Sequence, residues 1–192
     1  MANLTLDNIA QVMPPCKSSH SELPSAMKPA SVLVLMFSKD GHIHVMLNKR
    51  SDTVEYHKGE ISFPGGSWEP DDKDLSYTAT RETNEEIGIR YEDMRIIGEL
   101  ETVNTSSMFC IYPFVATINY PYKSRISKDE VADVIEVPIQ SLINPLNRRT
   151  EMHIRRNKSY KAYSYIYKQH IIHGATANIL SQLLAIISSK LT

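Results

Sequence analysis

The sequence predicts an α plus β fold, with an order of elements that suits a mixed β-sheet between helices. Three observations carry this reading: two apolar stretches of strand character around residues 31–37 and 43–47, a glycine-led helix that stops at Gly88, and a closing segment in which Ile179, Leu180, Leu183, Leu184 and Ile187 recur at three- and four-residue intervals. At 192 residues the chain is long enough for one well-buried core and short for two.

Residues 1–29 read as an N-terminal extension: a short helix around residues 4–12, then a connector broken by Pro14, Pro15, Pro24 and Pro29. The compact domain is expected over residues 30–192. Residues 31–37 are almost continuously apolar, as in a strand buried on both faces, and Lys39-Asp40-Gly41 turns the chain into Ile43, Val45 and Leu47 at period two, which makes a hairpin. Residues 94–100 and 111–118 are β-branched strands, and Pro113 places the second at an edge or a bulge. Pro138 fits the first turn of a short helix over residues 139–143. Residues 152–154 and 160–167 form a last hairpin, with Tyr163, Tyr165 and Tyr167 on one strand face. Such a stripe is usually core or sheet surface, and holding a ligand's base is the less common use. The final helix opens at Gly174 and buries its aliphatic stripe on the sheet.

The formal net charge of −1 gives no global basic surface, so nucleic acid is not expected as a partner. Cys16 and Cys110 stand far apart without a CxxC pair, which points to reduced thiols rather than a disulfide framework or a zinc site. No apolar run approaches membrane-spanning length and the first residues lack a signal-peptide core, so no membrane is expected and the cytoplasm is the simplest compartment. The Ser189-Lys190-Leu191 tripeptide stands one residue short of the end and is read as chance. A homodimer is compatible with the sequence.

Residues 66–89 read GSWEPDDKDLSYTATRETNEEIGI. At 3.6 residues per turn Glu82 and Glu86 share a helix face with Glu85 beside them, so three carboxylates converge. Mg²⁺ or Mn²⁺ would remove their repulsion, because hard cations take oxygen ligands and bridge to phosphates. An acidic helix face is commonly just solvated. Here the Gly65-Gly66 loop, Arg81 beside the acids and the terminal Gly88 set the segment apart.

This stretch resembles the Nudix box of hydrolases that cleave a nucleoside diphosphate linked to another group. Arg81-Glu82-Thr83-Asn84-Glu85-Glu86-Ile87-Gly88-Ile89 fits its second half, with Thr83 in an aliphatic slot. In the first half Asp72 stands where Glu is usual, and eight rather than seven residues separate it from Arg81, a spacing familiar in the coenzyme A pyrophosphatase branch. The resemblance implies the Nudix α/β/α sandwich and a metal site formed by Glu82, Glu85 and Glu86, with a backbone carbonyl from Gly66. It implies that Arg81 orients an acid. Upstream, Arg50-Ser51, three residues, Glu55, three residues, Gly59, three residues and Phe63-Pro64-Gly65-Gly66 are similar to the further signature of the coenzyme A pyrophosphatases.

By that resemblance the substrate is a small nucleotide of the coenzyme A type, hydrolysed at its pyrophosphate to 3′,5′-ADP and 4′-phosphopantetheine or its acyl form. Arg50 is expected on a phosphate, as is Lys58, and Glu130 is a candidate general base. Glu55 departs from the signature: that branch carries an Arg there, and a carboxylate repels phosphate. His57 and Lys58 are the cations that compensate. Two alternatives stand beside this reading: a Nudix hydrolase acting on ADP-ribose or a dinucleotide, and a non-enzymatic Nudix ligand sensor, for which loss of box acids would be expected.

Overall fold

The structure, a computed structural model, describes residues 4–17, 26–52, 58–155 and 158–191. In chain order the elements are α1 (Leu6–Ala10), β1 (Lys28–Lys39), β2 (His42–Arg50), β3 (Ile61–Ser62), β4 (Gly65–Ser67), α2 (Leu75–Ile87), β5 (Arg95–Glu99), β6 (Val103–Asn104), β7 (Phe109–Thr117), β8 (Val131–Pro138), α3 (Ile139–Ile143), β9 (Arg148–Arg155), β10 (Lys158–Tyr167), β11 (His170–Ile172) and α4 (Gly174–Leu191). The expected first hairpin forms, with Met36 opposite Val45 and Lys39 opposite His42, and Asp40 and Gly41 take the positive φ of its turn.

The main sheet runs β3-β2-β1-β7-β5, with β4 paired to β1, β6 to β7 and β8 to β2. It is mixed: β1 and β7 are parallel, from Lys28 opposite Phe109 to Met36 opposite Thr117, while the other pairs are antiparallel. Strand β1 is buried on both faces. Leu33, Leu35 and Phe37 join Leu75, Ala79 and Ile87 of α2, whereas Val34 and Met36 join Leu180, Leu183 and Ile187 of α4. The α/β/α layering follows from that alternation, because each face carries its own apolar set.

One expectation changes in part. Strand β7 is not an edge strand, since it lies between β1 on one side and β5 and β6 on the other, but its pairing with β5 is irregular, with a register shift between Ile96 and Gly98. Pro113 is tolerated there because its carbonyl accepts from Leu100 N at the break between β5 and β6, so the side of the strand that lacks an N–H faces no carbonyl ladder. The described part of the N-terminal stretch packs on this domain. Ile9 and Met13 are buried in the core shared with α4, and Glu99 N donates to Pro14 O at 3.1 Å.

The last hairpin joins β9 to β10, with Arg155 opposite Lys158, and β11 adds a third strand. Its turn at residues 156–157 lies outside the described residues. Tyr165 is fully buried and Tyr163 and Tyr167 pack on the same core, so this aromatic stripe is core. Among the described residues no helix is long and apolar enough to cross a membrane.

Candidate functional site

Helix α2 begins where Asp74, in extended backbone, accepts from Tyr77 N at 2.7 Å, and it ends where Gly88 takes φ 76° and returns its N–H to Asn84 O. Its sheet-facing side carries Leu75, Thr78, Ala79, Thr83, Glu86 and Ile87. Thr83 fits an apolar position because its hydroxyl donates to Ala79 O at 2.7 Å. Glu86 lies on that same buried side. Burial pushes its carboxyl up to about 8, with the charges of Glu82 and Glu130 adding to the shift and Gly65 N and Arg50 opposing it. Burial also raises Glu82, against the pull of Arg81.

The glycine loop fits against these acids. Gly65 N and Asn48 Nδ2 both donate to Glu86 Oε2, at 3.1 and 2.9 Å. Gly65 pairs with Val32 of β1, and a Cβ there would overlap Ser31 O. A Cβ on Gly66 would overlap the Glu82 carboxylate, so the backbone and that acid lie against each other only because the residue is glycine.

Arg81 is a hub for acids. Its Nε and Nη2 donate to the two oxygens of Asp72 at 2.8 and 3.0 Å, while Nη1 lies 3.0 Å from Glu82 Oε1 and 2.9 Å from Glu85 Oε2. Asp72 is buried and also accepts from Thr78 Oγ1 and Glu69 N. The Arg81 guanidinium, helped by those two donors, holds its carboxyl down at about 2 against the effect of burial. Glu85 faces Arg81 with a half-exposed side chain, so the acids whose charges act on Glu86 are Glu82 and Glu130.

Glu130 comes from far along the chain. The segment before it is fastened to the end of α2, with Arg125 N donating to Ile87 O at 2.6 Å and Ser127 N to Glu86 O at 2.9 Å. Beyond it, Ser51 N donates to Glu130 O at 2.8 Å, which brings the loop beside Arg50. The Arg50 Nε is buried without a partner among the described residues. Lys58 is exposed next to Gly59, and Glu55 and His57 lie outside the described residues.

Sequence reasoning missed Asn48 and left Asp72 without a role. A signal existed for Asn48: it continues, at period two, the α2-facing series of His44 and Met46 with a buried amide.

The carboxylates of Glu82, Glu85 and Glu86 and the backbone carbonyl of Gly66 are oxygen donors of the kind hard divalent cations take. Among the described residues no three His, Cys, Asp or Glu side chains already stand close enough to hold an ion. Each acid is drawn to its own partner, Glu82 and Glu85 to Arg81 and Glu86 to Asn48 and Gly65. The upward shifts of Glu82 and Glu86 mark a place where negative charge is disfavoured, a condition that a divalent cation relieves.

Comparison with known proteins agrees with this geometry. Residues 27–162 match the NUDIX domain family. The chain is 33% identical over 139 residues to a protein named uncharacterized Nudix hydrolase NudL from Photorhabdus laumondii, covering 72% of this chain and 74% of that one. It is 34% identical over 169 residues to Nudix hydrolase 15, mitochondrial, of Arabidopsis thaliana, covering 83% of this chain and 59% of the relative. Its fold is similar to the NUDIX domain of Shewanella oneidensis NrtR, solved with ADP ribose, at a TM-score of 0.53 and 18% identity, with 98% of this chain and 100% of that one covered. With a glycine loop, a capped acidic helix and a mixed sheet between helical layers all in place, this chain belongs to the Nudix hydrolase family.

Proposed function

We propose that this Nudix hydrolase cleaves the pyrophosphate bond of coenzyme A or an acyl-coenzyme A, releasing 3′,5′-ADP and 4′-phosphopantetheine or its acyl form. The observation that carries the hydrolase chemistry is the buried Glu86, clamped by Gly65 N and Asn48 beside Glu82 and under the charge of Glu130. The substrate class is supported by the spacing of Arg50-Ser51, Gly59 and Phe63-Pro64-Gly65-Gly66. The hydrolase domain is taken as residues 30–192, with residues 1–29 as an extension packed onto it through Ile9 and Met13.

Glu82, Glu85, Glu86 and the Gly66 carbonyl are the groups that would hold Mg²⁺ or Mn²⁺. Such an ion supplies charge neutralisation on the pyrophosphate and a lowered pKa for an attacking water. The protein's own part is positioning. Arg81, anchored by Asp72, fixes Glu82 and Glu85; Arg50 presents its buried Nε to a phosphate oxygen, with Lys58 at the rim; and Glu130, fastened to α2 and β2, accepts the water's proton.

The deciding measurement is mass spectrometry of products after incubation with coenzyme A, acyl-coenzymes A, ADP-ribose and dinucleoside polyphosphates in Mg²⁺ or Mn²⁺. The expected result is 3′,5′-ADP, with ¹⁸O from water entering one product at phosphorus. Turnover confined to ADP-ribose or a dinucleotide overturns the substrate and leaves the acids in the same roles. The absence of any turnover favours a ligand sensor.

A further inference from the structure

Strand β2 alternates its side chains between two layers, Met46 toward α2 and Leu47 toward α4. Asn48 puts a primary amide at the next α2-facing position, where it is 1% exposed. A buried amide is costly unless both ends are hydrogen-bonded. Only one end is. Nδ2 donates to Glu86 Oε2 at 2.9 Å, while the buried Oδ1 has no partner among the described residues. Gly65 N donates to the same Glu86 oxygen at 3.1 Å. Two neutral donors therefore hold Oε2, leaving Oε1 as the oxygen available to a cation. A second buried polar atom without a partner, Arg50 Nε, belongs to the same strand. Stability alone gives no reason for a half-bonded amide where leucine or methionine would fill the space.

The geometry points to Asn48 as a positioning residue for the metal site, an amide that orients Glu86 so that its free oxygen meets the ion. This rests on the metal-dependent reading given above and adds to it a specific demand on a residue outside the Nudix box. Because Asn48 acts through Glu86, its loss weakens the ion's hold and leaves the substrate groups in place.

The test is Mn²⁺ titration followed by electron paramagnetic resonance on the wild type, Asn48→Leu, Asn48→Ser and Glu86→Gln, with thermal unfolding of each in a chelator. Both Asn48 variants are expected to bind Mn²⁺ roughly 10–100-fold more weakly. Asn48→Leu should unfold in chelator no earlier than the wild type, and its turnover should return toward the wild-type value as Mn²⁺ is raised. If Glu86→Gln loses Mn²⁺ while both Asn48 variants bind it as the wild type does, the positioning role is overturned and the metal site stands. If Glu86→Gln also binds as the wild type does, the metal reading itself fails. Failure of both Asn48 variants to fold would make the amide a structural group and likewise overturn the proposal.

Discussion

Glu86 and Asp72 show how two buried carboxylates on neighbouring segments are driven in opposite directions. Glu86 has only neutral donors in direct contact and two acids in its field, whereas Asp72 has a guanidinium on both oxygens. Glu86→Gln keeps the shape and removes the charge that the ion requires, so turnover should fall by at least about 100-fold at saturating Mg²⁺ with the fold retained. Steady-state kinetics beside circular dichroism measures both. For Asp72 the sign is set by a folded-state value of about 2 below the ordinary 3.8. Its contribution is complete above pH 4 or so and is lost as pH falls through about 2, and the difference corresponds to about 2 kcal/mol. Asp72→Asn should lower stability at neutral pH by that order and flatten the acid limb of the unfolding curve. Identical acid limbs in the two proteins would count against the Arg81 clamp.

At the scale of elements, the C-terminal end of α2 is where the site is joined to the rest of the chain. Gly88 has φ 76°, and a Cβ on it would stand 2.8 Å from the backbone N and O of Arg125. Gly88→Ala therefore meets a left-handed backbone and a packed strap together, and should cost about 1–3 kcal/mol. Because the strap leads to Glu130, turnover should fall as well, even at temperatures where the variant is fully folded. A variant that loses stability but keeps its full rate would separate the strap from the chemistry. Helix α2 itself was legible in the sequence because its caps, its acids and its apolar stripe are all local. So were the β1–β2 hairpin and the stripe of α4. The tether from residues 125–127 to α2 was not legible: it is made by backbone N–H groups, which carry no residue signature. Pro113 left edge and bulge open for a related reason, since whether its missing donor matters depends on where β5 ends and β6 begins.

For the molecule as a whole, the parallel pairing of β1 with β7 spans some eighty residues of sequence, and no local pattern announces it. On its other side β1 pairs with β2 and β4, and these bring the partners of the acids up to α2: Glu82 and Glu86 come from α2, Gly65 and Gly66 from β4, Asn48 and Arg50 from β2, and Glu130 from the loop before β8. An ion bound among them ties these segments in the folded chain and finds no such arrangement in the unfolded one. Mg²⁺ or Mn²⁺ at one hundred times its dissociation constant should then stabilise the fold by about 2.7 kcal/mol. For a chain of this size that amounts to a rise in Tm of roughly 5–10 °C over the same protein in a chelator. The rise should scale with the logarithm of ion concentration and should vanish in Glu86→Gln. It should persist in Lys58→Ala, which removes an exposed cation and leaves the acids untouched. Scanning calorimetry across a Mn²⁺ series gives the result directly, and equal transitions with chelator and with saturating ion would show that these segments meet for some purpose other than holding a cation.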